Sequence, residues 1–190
     1  MNRRMITAVF LILLTSSALT RGQNSGSCVT DVILSGYSAR MFTSEPVSDQ
    51  DLDLILKCGI KAPSSRNLQP WKFTVVKDTA LTKSTIGNIN PGNVLIIVSG
   101  PESQEGTIVD FDCALATENM SIAALSLGMG ARIYGGPVKN VNSTMRQSLE
   151  IPEGYRVVTI LRIGHIDKSV DAVSAASARK KFEEVVNFKK

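Results

Sequence analysis

The sequence is poor in the residues from which metal and nucleophilic sites are usually built. It contains one histidine, His165, and three cysteines among 190 residues. His165 follows an apolar run, and no serine or cysteine nucleophile motif accompanies it. Cys58 and Cys113 lie in helical patterns whose spacing fits neither a zinc site nor a redox pair. We therefore predict buried thiols, a histidine at a strand end, no metal site, and no Walker-type phosphate loop.

A large excess of one charge is also missing. The formal net charge of +4 comes from 21 basic and 17 acidic residues. Three of the basic residues, Arg3, Arg4 and Arg21, lie in the first 21 positions, which leaves 18 basic residues against the same 17 acidic ones, or +1. A nearly neutral domain does not offer the general basic surface that nucleic acid requires. Nucleic acid is therefore not an expected partner.

A long hydrophobic run occurs only at the N-terminus. The basic Asn2-Arg3-Arg4 precedes an apolar stretch from Met5 to Leu19, which is shorter than a typical membrane span. This pattern predicts a signal peptide over residues 1–22, cleavage between residues 18 and 28, and a periplasmic or extracellular protein without a stable span after leader removal. A retained anchor stays open as an alternative. So does a lipoprotein modified at Cys28, although a polar stretch separates that residue from the apolar run.

Residues 28–190 have the size of one ordinary domain. Three nearly continuous apolar runs, Lys72 to Val76, Val94 to Val98 and Val157 to Gly164, predict strands. Strands of this kind tend to be covered on both faces of their sheet. The sequence therefore predicts an α/β sandwich.

Helical patterns occupy much of the remaining chain. They predict helices over Asp31 to Tyr37, from Ser48 as N-cap to about Ile60, over Asp110 to Met129, and over Val138 to Leu149. The helix from Asp110 to Met129 is apolar over much of its circumference. Such a helix must be central in the domain or lie in a subunit interface.

A polar loop precedes the first predicted strand. Residues Ala62 to Trp71 combine small hydroxyls, amides, two prolines and the single indole. The prolines favour extended backbone, which would direct the N–H groups of Ser64 and Ser65 outward and place Asn67 and Gln69 on one side. Such a loop suits the edge of a heteroaromatic ring that carries carbonyls and nitrogens. A plain helix-to-strand connector with Trp71 in the core is the alternative.

Four ordered motifs resemble the nitroreductase family of flavin mononucleotide (FMN) enzymes. The motifs are Pro63 to Trp71, Ser38-Ala39-Arg40-Met41-Phe42, Leu127 to Gly130 leading to Gly135-Gly136, and Arg179 ahead of Phe182 to Val186. Together they cover roughly residues 30–188. The resemblance implies a nitroreductase-type α+β sandwich, with a mixed and mainly antiparallel central sheet flanked by helices. It also implies an intertwined homodimer with two flavins at its interface.

The resemblance also implies a set of cofactor-binding residues. Ser38 and Arg40 would hold the FMN phosphate and ribityl chain, and Asn67 would contact the pyrimidine side of the flavin ring. Gly135 and Gly136 would let the main chain approach the ring closely. The full set is Tyr37, Ser38, Arg40, Pro63, Ser64, Ser65, Asn67, Gln69, Gly135, Gly136 and Arg179. Gln69 could instead satisfy buried backbone groups.

The chain departs from the family pattern in two places. The family motif begins with an arginine two residues before the serine, where this sequence has Gly36. Arg179 is the best substitute for the missing phosphate contact, although a solvated basic run with Lys180 and Lys181 is an alternative. The segment from Asp78 to Asn93 is also short, which resembles the compact branch of the family and leaves the substrate pocket undefined.

The function implied by the resemblance is an FMN-dependent oxidoreductase. Hydride would pass from NAD(P)H or another donor through flavin N5 to an electron-poor acceptor such as a nitroaromatic or quinone, and no side chain need act as acid or base. Two alternatives stay open. One is a specialised flavin reaction: dehalogenation, flavin destruction or dehydrogenation. The other is a flavin-binding electron store or binding module without NAD(P)H turnover, which the predicted export favours because free NAD(P)H is scarce outside the cytoplasm.

Overall fold

The fold is built on one four-stranded antiparallel sheet. The structure is a computed structural model that describes residues 29–106, 108–170 and 178–189. The predicted leader and Cys28 lie outside these residues. The strands are β1 (Lys72–Val76), β2 (Val94–Pro101), β3 (Gly130–Tyr134) and β4 (Tyr155–Gly164), in the order β1-β2-β4-β3. All three strand pairs are antiparallel.

Helices cover both faces of this sheet. They are α1 (Val29–Ser35), α2 (Asp49–Ile60), α3 (Thr79–Ile86), α4 (Val109–Ser126), α5 (Val138–Thr144) and α6 (Phe182–Val185). The predicted N-cap of α2 is confirmed, because the Ser48 hydroxyl accepts a hydrogen bond from the Asp51 N–H at 3.0 Å. With helices on both sides of the strands, the sandwich class predicted from the sequence is also confirmed.

The central strand β2 is buried on both faces. Val94, Ile96 and Val98 pack in one cluster with residues of α2 and α4. Leu95 and Ile97 point the other way into a second cluster with residues of α5 and β4. The alternation follows from the pleat, which sends successive side chains to opposite faces. A continuous apolar run in the sequence therefore corresponds here to a strand between two layers.

Helix α4 is the main cover of one face. Cys113, Ala116, Met120 and Ala124 follow one another at helical spacing and have no exposed surface. The helix ends at Ser126, three residues before the predicted Met129, because Gly128 adopts a φ of 76°. The Met129 N–H then donates to the Ala124 carbonyl at 3.0 Å, as in a glycine-terminated helix end.

The sequence analysis missed two elements of secondary structure and misplaced the end of a third. Strand β3 was not predicted, because its first residues, Gly130 and Ala131, are small and weak strand formers. Helix α3 was not predicted either, although Asp78 caps it by accepting from the Leu81 N–H at 2.8 Å. Helix α5 ends at Thr144 and gives way to turns, so the predicted extension to Leu149 is wrong.

We searched the described helices for a membrane span. None of those in residues 29–106, 108–170 and 178–189 is long and apolar enough to cross a bilayer.

Cys113 should be chemically inert in the native protein. Burial, with Asp110 and Asp112 nearby, raises the pKa of the Cys113 thiol to about 12. At pH 8 only about one thiol in ten thousand would then be the reactive thiolate. We expect iodoacetamide to leave Cys113 unmodified in the native protein and to label it after urea unfolding, as measured by peptide mass mapping. Equal labelling rates in both states would contradict this burial.

Candidate functional site

The segment from Gly36 to Thr43 is tied to the end of the sheet by backbone contacts. The Ala39 N–H donates to the Ala131 carbonyl of β3 at 3.3 Å, and the Thr43 N–H donates to the His165 carbonyl at 2.9 Å. Phe42 forms an isolated β-bridge with Ile166. His165 directly follows β4, so its predicted place at a strand end is confirmed. These contacts hold Ser38 beside β3.

A buried arginine fixes the far end of this segment. The Arg162 guanidinium lies 4.0 Å from the centre of the Phe42 ring and is almost wholly buried. Its Nε and Nη2 donate to the Asn93 Oδ1 at 2.9 and 2.6 Å, and the Asn93 amide donates to the Thr43 carbonyl at 2.9 Å. Burial lowers the pKa of Arg162 from its ordinary value. Arg162 is thus engaged in structure and is not presented to a ligand.

A cavity of 340 Å³ opens between α1, α4, β3 and the C-terminal segment. Three of the predicted cofactor residues, Tyr37, Ser38 and Arg179, line it together. Arg40 is exposed and is not among the lining residues. A single chain therefore assembles part of the predicted phosphate site and leaves Arg40 outside the cavity.

Position 36 has little room for the arginine found there in the family pattern. A Cβ built on Gly36 would lie 3.0 Å from the Val32 carbonyl oxygen and 3.1 Å from a Leu125 methyl group. Both distances are shorter than ordinary van der Waals contact. The close approach of this segment to α1 and α4 explains why glycine occupies the position.

One acidic residue lines the same cavity. Glu118 lies in the middle of α4, and burial raises the pKa of its carboxyl above the ordinary value. A raised carboxyl pKa means that Glu118 releases its proton at a higher pH in the folded protein than in the unfolded chain. Glu118 thus places a titratable carboxyl in the same cavity as Arg179.

The polar loop before β1 is not extended, and that prediction is wrong. Residues Ser65–Asn67 form one 3-10 turn, and φ is 51° at Arg66, 55° at Asn67 and 46° at Gln69. The Ser64 hydroxyl accepts from the Gln69 N–H at 3.0 Å, and the Gln69 amide donates to the Asn67 Oδ1 at 3.3 Å. Asn67 and Gln69 are thus brought together by a compact turn.

The two ends of the loop are anchored differently. At its C-terminal end, Trp71 is buried and stacks on Phe73 with ring centres 6.5 Å apart, as predicted for a core indole. At its N-terminal end, the Ser65 N–H and hydroxyl donate to the Asp112 Oδ1 at 3.0 and 3.2 Å. The predicted outward direction of the Ser65 N–H is therefore wrong. Pro63, Asn67 and Gln69 are exposed.

Gly135 and Gly136 follow β3 directly. Both are exposed, and a Cβ built on either one meets no described atom within 4 Å. Packing within the described part of the chain therefore does not require glycine at these positions. The open space beside them leaves the main chain accessible to a ligand or to a second chain.

The polar loop and the cavity lie against different parts of α4. The loop is bonded to Asp112 near the start of the helix, whereas Glu118 and Ser121 line the cavity farther along. At 1.5 Å per residue, these positions are about 9 to 14 Å apart along the helix axis. In one chain, the polar loop and the cavity thus lie along the same helix but do not meet.

Sequence reasoning missed several residues of this region. Glu118 is the one charged residue between Cys113 and Leu125 in the sequence, and that isolation could have marked it. Asp112 lies in an apolar helix and is fully buried, but its distant partner, Ser65, is not visible in the local sequence. Ala131 and Ile133 were missed together with β3.

Comparison with known sequences identifies the family. A sequence profile of the nitroreductase family matches residues 33–89. A protein of Archaeoglobus fulgidus, provisionally named an NADH dehydrogenase/NAD(P)H nitroreductase, is 33% identical over 144 residues, which span 70% of this chain and 83% of the relative. The chain belongs to the nitroreductase family. The resemblance drawn from the four motifs is thereby confirmed.

Solved nitroreductase structures share the fold. A protein of Desulfovibrio desulfuricans, provisionally named a nitroreductase and solved in complex with FMN, is 28% identical, with a TM-score of 0.73 over 85% of this chain and 96% of its own. A protein of Bacteroides thetaiotaomicron, provisionally named an NADH dehydrogenase/NAD(P)H nitroreductase, has 25% identity and a TM-score of 0.72 over 85% of this chain and 97% of its own. The sheet and its helical layers are thus those of the family.

The raised pKa of Glu118 predicts a pH-dependent stability. A folded-state pKa above the unfolded value gives stability that is present at low pH and lost as pH rises through the folded pKa. Glu118→Gln should therefore raise the melting temperature of the apoprotein at pH 7, with the gain shrinking toward pH 4. Glu153→Gln, in the exposed turn before β4, is the control. A Glu118→Gln gain that does not change with pH would contradict this assignment.

Proposed function

We propose that this protein is an FMN-dependent oxidoreductase that passes hydride from NAD(P)H or another donor to an electron-poor acceptor such as a nitroaromatic or quinone. The observation that carries the proposal is the gathering of Tyr37, Ser38 and Arg179 in one cavity of a nitroreductase fold. FMN, when bound, supplies the redox chemistry by accepting and releasing hydride at N5. The protein contributes position, electrostatics and exclusion of water.

The residues of the chain fit such a group. Arg179 offers a planar cation and Ser38 a hydroxyl in the same cavity, which suits a terminal phosphate. The exposed amides of Asn67 and Gln69 offer donors and acceptors suited to the pyrimidine edge of a flavin. Gly135 and Gly136 leave room for a planar ring beside the main chain. We assign no catalytic acid or base among the side chains.

We further propose that two chains complete each flavin site. The loop and the cavity occupy different parts of α4, so the loop of one subunit would meet the cavity of the other at the interface. Large apolar side chains support this arrangement, since Leu34 is 84% exposed, Phe111 57% and Phe188 75% in the single chain. A partner chain that covered these side chains would remove their apolar surface from water.

Export remains a proposal that rests on the basic and apolar character of residues 1–22. An exported enzyme would meet little free NAD(P)H, so its donor would be an electron carrier at the membrane. Anaerobic reduction of the bound flavin by NADH, by NADPH or by a membrane quinol distinguishes these donors. A flavin that none of them reduces would support the electron-store alternative and contradict the proposed turnover.

Phosphate recognition gives the first test of cofactor binding. Protein without its leader should bind FMN, and Arg40→Ala and Arg179→Ala should each weaken binding by roughly 1.5 to 3 kcal/mol, or about 10- to 150-fold, as for a charge-assisted hydrogen bond. Fluorescence titration with FMN measures the effect. Riboflavin, which lacks the phosphate, should bind all variants equally.

A charge control accompanies this titration. Lys83→Ala removes an exposed cation from α3, on the opposite face of the sheet from α4, and should leave the dissociation constant unchanged. A wild-type protein that binds no FMN would refute the proposed function. An Arg40→Ala variant with wild-type affinity would instead place Arg40 in solvent and leave Arg179 as the phosphate ligand.

The second test concerns assembly. We expect sedimentation velocity to show a dimer, and Phe111→Asp to weaken it, because the change places a charge on an exposed apolar face of α4. Ser84→Asp adds the same charge on exposed α3 and should leave the dimer intact. A stable wild-type monomer that retains FMN would show that one chain forms the whole site.

A further inference from the structure

Asp112 is a buried carboxylate that is only half satisfied. The residue has no exposed surface. Its Oδ1 accepts two hydrogen bonds, from the Ser65 N–H at 3.0 Å and the Ser65 hydroxyl at 3.2 Å. Its Oδ2 has no hydrogen-bond partner among the described residues. A buried polar atom without a partner costs roughly 1 to 3 kcal/mol, so its retention calls for a compensating role.

The partner of Asp112 begins a strained turn. Arg66, Asn67 and Gln69 all have φ between 46° and 55°, the left-handed region that residues other than glycine rarely occupy. Three such residues within four positions persist only where surrounding contacts over-determine the backbone. Bonds inside the turn, such as the Ser64 hydroxyl to the Gln69 N–H, close it upon itself but do not attach it to the domain.

Two contacts attach the turn to the region of α4. One is the Ser65 to Asp112 pair, which joins residues 47 positions apart in the chain. The other is the packing of the Arg66 side chain on Gly106, where an added Cβ would lie 2.7 Å from the Arg66 Nη1. Of the two, the Asp112 contact is a directional hydrogen bond to a buried side chain. Asp112 also lies in the first turn of α4, where the helix dipole favours a negative charge.

We infer that Asp112 is a positioning residue for the polar loop before β1. Through Ser65 it holds the loop in the conformation with left-handed backbone that presents Asn67 and Gln69 to the cofactor. The inference rests on the proposed function for its consequence in FMN binding. Asp112 itself would contact neither substrate nor cofactor. Its role is to fix the backbone conformation of the loop, and thereby the positions of the Asn67 and Gln69 amides.

Three substitutions separate hydrogen bonding from other roles of Asp112. Asp112→Ala removes both bonds to Ser65 and should weaken FMN binding by about tenfold or more, since bonds to a charged acceptor are the stronger kind. Asp112→Asn keeps a side-chain oxygen for Ser65 and should bind FMN within about threefold of wild type. Ser65→Ala added to Asp112→Ala should have no further effect, because the serine hydroxyl has already lost its acceptor.

A second measurement follows the loop without any flavin. Arg66 is exposed, so trypsin can cut after it when the turn opens. In the full-length apoprotein, Asp112→Ala should be cleaved at Arg66 faster than wild type, and Asp112→Asn at an intermediate rate, as followed by mass spectrometry. Wild-type protein that binds no FMN would refute the proposed function, and the cleavage rates would still decide whether Asp112 holds the loop.

Thr117→Val is the matched control on the same helix. Thr117 is equally buried, and its hydroxyl bonds to the Cys113 carbonyl at 2.8 Å and to the Thr159 hydroxyl at 2.6 Å. The variant should lower the melting temperature without changing FMN affinity or cleavage at Arg66. If Asp112→Ala behaves as Thr117→Val does, the inference is overturned. If Asp112→Ala does not fold, the cleavage rates at Arg66 of Asp112→Asn and Ser65→Ala are compared with that of Thr117→Val. Equal rates overturn the inference.

Discussion

Burial of β2 on both faces is the constraint on which the rest of this structure depends. Each of its residues from Val94 to Gly100 is buried, so each face needs a covering layer before the strand is stable. Helices α2 and α4 supply one layer, and residues of α5 and the following turn help to supply the other. Most of the candidate site then lies next to α4, because the polar loop is bonded to that helix, the cavity opens beside it and β3 packs against it.

The same helix is only partly covered in the single chain. The face of α4 that carries Cys113, Ala116 and Met120 is fully buried in the core, whereas Phe111 of α4 and Leu34 of α1 remain exposed. An apolar helix in a domain of this size cannot bury its whole circumference against one sheet. Because the candidate site lies beside this half-covered helix, the proposed flavin binding and the proposed subunit association would share one surface.

The local sequence was sufficient to predict elements with a continuous apolar run or a clear capping residue. The runs that became β1, β2 and β4 were predicted because their apolar residues are continuous, and the α2 cap was predicted from Ser48 and Asp51. β3 was missed because Gly130 and Ala131 take part in a sheet through pairing with β4, which the local sequence does not reveal. Small residues there also permit close approach, since a Cβ on Gly130 would lie 2.8 Å from the Phe42 ring.

The candidate site was predicted better in composition than in geometry. The four motifs identified the family, and Tyr37, Ser38 and Arg179 share a cavity. The backbone of the polar loop was predicted wrongly, because proline preferences are local whereas the hydrogen bond from Ser65 to Asp112 is not. Where a tertiary bond to a buried carboxylate competes with a local preference of about 1 kcal/mol, the tertiary bond decides the conformation.

Charge balance in the cavity sets a further condition on phosphate binding. Gly36 removes the arginine of the family pattern, so the cation that lines the cavity beside Ser38 is Arg179, and Glu118 lines the same space. An ionised Glu118 would oppose a phosphate dianion. Burial already raises the pKa of Glu118, and a phosphate bound nearby would raise it further by like-charge repulsion. Proton uptake by Glu118 and the proposed phosphate binding would therefore favour each other.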